Sequence, residues 1–191
     1  MITYQLAQSP EAIESMLEKL NDVTTNVGLK IHTGKTQWMA NQTTKKTIKL
    51  NNKTISQVNE YKYLGQIVTP TGDLQKEANS RVKSGWSAFK KAETVLTSNK
   101  VDKNIKAHLF NANVLPALTY ASETWNSTIK VENKIRTAQR AMERRITNIS
   151  KRDHIRSEVI REKSGVKDAV ELTYKNKHRW AGHVARQLLD Q

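Results

Sequence analysis

Arg136, Arg140 and Arg144 recur at every fourth residue, with Arg145 adjoining them, and Lys83, Lys90 and Lys91 recur in an earlier stretch. At 3.6 residues per turn the arginine spacing lines three guanidinium groups along one side of a helix. A row of this kind suits a phosphate backbone, because guanidinium groups grip phosphate through paired hydrogen bonds and lysines attract it as point charges. Such contacts confer affinity without reading sequence. The competing reading of the same row is a charged solvent face, balanced within the helix by Glu132 and Glu143.

Composition favours the first reading. The 191 residues carry a net charge of +14 with a sequence pI near 10.0, a surplus that favours a polyanionic partner through counterion release. Residues 1–70 hold eight Lys, no Arg and five acids, for +3, leaving 24 basic and 13 acidic residues, or +11, in residues 71–191. Every arginine lies at or beyond Arg81, so the second part is expected to do more of the gripping.

Other chemistries are poorly served. The absence of cysteine excludes disulfides, thiol catalysis and Cys-based zinc sites, and is compatible with an intracellular, reducing location. His178 and His183 stand five apart rather than the four that bring two ligands together on a helix, so no metal is expected there. No run approaches the roughly twenty apolar residues that span a bilayer, and no signal pattern opens the chain. A soluble protein with no membrane partner is expected.

The elements that position these residues change character along the chain. A short strand is expected over residues 2–8, then a helix from Pro10 to Val27, with Ser9 capping and Gly28 closing it. Its apolar positions Ile13, Met16, Leu17, Leu20, Val23 and Val27 predict one buried face, with Glu11, Glu14 and Glu18 outward. Residues 29–32 and 36–39 read as extended pieces. Asn51-Asn52-Lys53 between two short extended runs predicts a hairpin, and Val58 to Val68 one more strand.

Pro70-Thr71-Gly72-Asp73 marks a boundary where the period changes from two to 3.6. Beyond it, helices are expected over 74–97, over 102–115 with Ile105, Leu109 and Ala112 inward, and over 129–149 with Val131, Ile135, Ala138, Met142, Ile146 and Ile149 inward. Shorter helical patterns follow around Ile155 to Lys163 and from Lys167 to about Leu188. The fold class is α+β: a small antiparallel sheet with one packed helix, then an all-α region. Trp86, Phe89, Trp125 and Trp180 are expected in the core, with base stacking the alternative.

An ordered series of segments carries a resemblance. It comprises Ala7-Gln8-Ser9-Pro10-Glu11, Gly28-Leu29-Lys30-Ile31, Lys35-Thr36, Tyr63-Leu64-Gly65, Trp86-Ser87-Ala88-Phe89, Leu115-Pro116, Tyr120 to Trp125, Gln139-Arg140-Ala141-Met142-Glu143-Arg144 and Arg179 to Arg186. In this order the chain resembles the C-terminal part of LINE-type non-LTR retrotransposon reverse transcriptases. The resemblance implies a partial reverse transcriptase palm over residues 1–70, a helical thumb over 71–150 and a basic helical extension over 151–191. Lys35, with Lys30 as the alternative, looks like the lysine facing an incoming nucleotide's phosphates; the plain alternative is a solvated strand lysine. Tyr63, Leu64 and Gly65 look like the primer grip, or else a buried strand ending in a turn glycine.

In that family an Asp-Asp pair precedes the strand that ends in Ala-Gln-Ser, and counting back from Ala7 it would fall at Met1 and Ile2. Those aspartates hold Mg2+ in the full-length family. The chain alone is therefore expected to lack polymerase activity, to need no cofactor, and to bind RNA, DNA or their hybrid nonspecifically through Lys83, Lys90, Lys91, Arg136, Arg140, Arg144 and Arg145. The alternative is a basic nucleic-acid-binding or partner-dependent structural module, associating with a missing polymerase half or another protein.

Overall fold

A computed structural model describes residues 4–41, 46–63, 66–125 and 128–189. The chain forms two compact units, Met1–Asp73 and Leu74–Gln191. Together they make an α+β protein. No helix among the described residues is long and apolar enough to cross a membrane.

In the first unit, helix α1 spans Pro10–Asn26, and the Ser9 side chain caps it by accepting from the Ala12 N–H at 3.2 Å. Strands β2 (Lys49–Leu50) and β3 (Lys53–Thr54) pair through a two-residue turn. Asn51 and Asn52 both take positive φ there, 50° and 60°, the pair of conformations that matches the twist of a tight hairpin. The hairpin is fastened to α1 by polar contacts. Glu14 accepts from the Lys49 N–H at 2.9 Å, and Glu11 pairs with Lys46. The two carboxylates expected to face outward thus join the helix to the hairpin segment, while Leu17, Ile48, Leu50 and Ile55 close a small core beneath.

Two further ladders complete this unit among the described residues. Strand β1 (Gln37–Trp38) runs parallel to β4 (Ser56–Gln57). Strand β5 (Tyr61–Tyr63) runs antiparallel to β6 (Gln66–Val68), with Tyr63 opposite Gln66. The single strand expected over 58–68 is therefore a hairpin, and the small sheet is three separate two-stranded ladders. Residues 4–8 join none of them, so the expected strand over 2–8 has no ladder there. Only part of the α1 stripe is covered: Met16, Val23 and Val27 stay on the surface, because so small a core reaches only Leu17 and, partly, Ile13.

The second unit is helical and better packed. Helix α2 (Leu74–Lys91) ends where Ala92 leaves helical geometry, and α3 (Glu93–Leu96) follows. Helix α4 (Lys103–Leu109) runs through a wide π turn (Phe110–Val114) into α5 (Leu115–Thr119). Pro116 explains that turn, since it offers no N–H to the preceding turn and its ring crowds the carbonyl four residues back. The face expected to be inward here is only partly so: Leu109 packs against the core, but Ile105 and Ala112 are exposed, and Ala107, Phe110, Val114 and Leu118 are buried instead. Phe110 and Leu118 bury more apolar surface, which decides between two competing stripes.

Helix α6 (Ile129–Thr147) is capped by Thr128 and ends in Asn148 at φ 53°. It buries Val131, Ile135, Ala138, Met142 and Ile146, as its spacing predicts, while Ile149, expected with them, lies past its end and is half-buried. Helices α7 (Ser157–Ser164) and α8 (Ala169–Leu189) both pack on α6, so residues 151–191 share the unit of 74–150. Between α2 and α5 the backbones approach so closely that a Cβ on Gly85 would sit 2.6 Å from the Leu118 Cγ.

Candidate nucleic-acid interface

The basic residues singled out by spacing fall into three settings. Lys83 and Lys90 are exposed on α2 two turns apart, so they share a face, and Lys91 is exposed round the helix from them. None of the three takes part in an ion pair among the described residues. Two turns of helix set them about 10.5 Å apart along the helix axis.

Arg145 stands beside this face. Its guanidinium lies over the Trp86 ring at 5.0 Å from the centroid and pairs with Glu93 at 3.0 Å. That position ties α6 to α2 and α3 while leaving the Arg145 side chain 56% exposed. Its charge is partly spent on Glu93, so its share in binding a polyanion is smaller than that of Lys83 or Lys90.

Arg136 and Arg140 lie elsewhere on α6, Arg140 being about 140° round the axis from Arg145. Arg136 donates to the Asn133 side chain at 3.0 Å, and Arg140 is exposed. Arg144 is a structural group: it donates to the carbonyls of Ser150 at 3.1 Å and Ile155 at 3.2 Å, holding the loop that leads into α7. The row of three guanidinium groups expected from spacing is thus two outward arginines and one loop anchor. Its acids differ too. Glu132 accepts from the Tyr174 hydroxyl at 2.6 Å, raising the Tyr174 pKa, and Glu143 is fully buried.

Glu143 belongs to a polar clamp that residue spacing alone did not disclose. Arg161 donates to its Oε1 through Nε at 3.2 Å and Nη2 at 3.1 Å, and also pairs with Asp168. One turn earlier Gln139, also buried, donates to the Lys167 carbonyl and accepts from the Ala169 N–H, both at 2.7 Å. Together they fix the start of α8. Burial pushes the Glu143 carboxyl above its ordinary value despite the nearby Arg161 charge. Burial opposes Asp168 ionisation as well, but the Glu171 N–H and Arg161 outweigh it and hold Asp168 below its ordinary value. The Arg161 pKa is raised, its carboxylate partners outweighing burial, whereas the Glu143 shift runs against the pairing. For Glu143 burial governs, because its Oε2 is buried with no hydrogen bond among the described residues.

In the first unit, Lys35 ends a 3-10 turn (Thr33–Lys35) and is exposed, as is Lys30 in the loop after α1. Tyr63 is half-buried, edge-on to Tyr4 with ring centroids 6.0 Å apart. Leu64 and Gly65, named with it as a primer grip, lie outside the described residues. No group of three or more His, Cys, Asp or Glu is placed to hold a metal ion among the described residues.

Of the aromatic residues expected in the core, Phe89 and Trp125 are buried, and Trp86 packs against the core beneath Arg145. Trp180 departs from that expectation, being 49% exposed on the outer half of α8.

Fold and surface define a strongly basic α+β protein of two units, with its lysine and arginine surplus on the helical one. A transposon-derived uncharacterized protein of Caenorhabditis elegans is 33% identical to it over 192 residues, which cover 95% of this chain and 68% of that protein. The chain belongs to this family of transposon-derived proteins. No protein-family model matches the chain. No solved structure matches it.

Proposed function

We propose that this transposon-derived chain descends from the rear of a non-LTR retrotransposon reverse transcriptase, and that its helical unit grips a template-primer duplex without reading sequence. The observation that carries the grip is the exposed lysine pair Lys83 and Lys90, on one face of α2 and free of ion pairs among the described residues. Lys91, Arg145 and the outward Arg136 and Arg140 add positive potential to the same unit. The ancestry rests on the ordered motif series and on the transposon-derived relative.

In this reading α2 lies along one strand, as a polymerase thumb does, and Lys35 and Tyr63 are remnants of the palm. The residues present are assigned a grip on nucleic acid and no chemical step. Fluorescence anisotropy with a labelled RNA-DNA hybrid and with duplex DNA of unrelated sequences tests it. Similar affinity for all of them, falling steeply with salt, is expected; failure to bind any of them at low salt would overturn the proposal.

A further inference from the structure

Helix α8 is two different surfaces in succession. Its first half is built into the bundle: Val170 and Thr173 are buried, and Asn176 donates to the Ser122 hydroxyl at 3.2 Å. From His178 onward most residues are exposed, and this half carries the Arg179-Trp180-Ala181-Gly182-His183-Val184-Ala185-Arg186 segment that the duplex grip leaves unused. Trp180 projects there with 49% of its surface exposed. Half of the indole is thus open to a planar partner, and aromatic faces stack on such partners.

The surroundings of the ring indicate what covers it. From Lys177 to Leu189 the helix holds Lys177, Arg179 and Arg186 with two histidines and no acidic residue, whereas Lys175 before them is paired with Glu171 at 2.6 Å. At 3.6 residues per turn His183, Arg179 and Arg186 follow Trp180 within about 120° on one side of the helix. The Arg186 guanidinium rests beside Gly182, 3.5 Å from where a Cβ would stand, so the small residue leaves room for it on the helix surface. Neither Arg179 nor Arg186 is in an ion pair among the described residues. This acid-free outer half of the helix complements a polyanion, and an exposed indole within it adds what a phosphate track alone lacks, a platform for an unstacked base.

We infer that the outer half of α8 is a second nucleic-acid site, which takes single-stranded nucleic acid by stacking an unpaired base on Trp180 while Arg179 and Arg186 hold the flanking phosphates. Single strands are selected because a base in a duplex is already stacked on both faces. The other tryptophans do not offer this: Trp125 is buried, Trp38 packs against the small core of the first unit, and Arg145 covers Trp86. The site stands whether or not α2 grips a duplex, since it uses none of the same residues.

The test is anisotropy of the full chain with fluorescein-labelled oligo(dT) and with a duplex of equal charge, for the unaltered protein, Trp180→Ala and Trp180→Phe. Loss of one stacked base predicts at least about a five-fold weaker hold on oligo(dT) for Trp180→Ala. Trp180→Phe should recover most of it, and duplex affinity should stay within about two-fold. Circular dichroism should be unchanged in both variants, as the ring lies beyond the packed half of the helix. An unchanged oligo(dT) affinity in Trp180→Ala overturns the proposal, as does an equal loss for duplex and single strand. So does competition by polyglutamate as effective, charge for charge, as that of oligo(dT), which would make the surface a docking site for acidic protein.

Discussion

Glu143, with no exposed surface, accepts two hydrogen bonds from Arg161, and this pair joins the C-terminal part of α6 to α7. The pair's value depends on its being complete. Replacing Arg161 with Ala leaves a carboxyl buried without its counter-charge, so Arg161→Ala should cost about 3–5 kcal/mol. Glu143→Gln keeps the shape and an acceptor oxygen without the charge, and should cost markedly less. Urea unfolding of the two variants checks the ranking; equal losses would contradict it.

The same cluster sets a pH dependence with two opposing parts. Asp168 has a lowered pKa in the fold, so its contribution is present above its unfolded value, near about 3.9, and is lost as pH falls through the lower folded one. Glu143 has a raised pKa, so folding favours its protonated form, and that advantage is lost as pH rises from about 4.3 through the folded value. Asp168→Asn should therefore flatten the acid limb of a stability profile. Glu143→Gln should gain relative to the unaltered protein as pH rises towards neutrality. Melting temperatures between acid and neutral pH measure both, and parallel profiles would contradict the assignment.

Gly85 is placed for contact and not for flexibility. An alanine there gains about 1 kcal/mol of helix propensity. Its methyl would sit 2.6 Å from Cγ of the fully buried Leu118, so a side chain in the core must shift, and overpacking of this kind costs about 1–3 kcal/mol. Gly85→Ala should lower the melting temperature; a rise would show that α2 and α5 part easily.

Arg144 and the lysine pair should separate stability from binding. Arg144→Ala gives up hydrogen bonds to the carbonyls of Ser150 and Ile155, at a cost of about 1–3 kcal/mol, and should change duplex affinity little. Lys83→Ala and Lys90→Ala are surface changes within about 0.5 kcal/mol in stability, and should weaken binding. Thermal unfolding and anisotropy on the same three variants would show the crossing, and the reverse pattern would exchange their roles.

Much of this was legible before any coordinates. Helix α6 followed from a regular apolar stripe, the Asn51-Asn52 turn from side chains that tolerate positive φ, and the helix start at Pro10 from the capping Ser9. What escaped was tertiary. Gln139 and Glu143 look solvent-facing on a helix taken alone, because their partners Lys167, Ala169 and Arg161 come from 18 to 30 residues further along the chain. Arg144 shares its spacing with Arg140 yet turns to backbone carbonyls. Trp180 reads as a core anchor by residue type, and only the length of α8 beyond its packed half exposes it. The motif Gln139 to Arg144 is in hindsight the sequence signal for the clamp, since buried amide and carboxylate stand one turn apart within it.

The salt dependence of duplex binding measures directly whether α2 grips phosphate. Each phosphate contact contributes a slope of about 0.9 in log affinity against log salt. The Lys83→Ala, Lys90→Ala double variant should therefore lose about two units of slope relative to the unaltered chain, equally on every duplex sequence. An unchanged slope in a folded double variant would contradict the account.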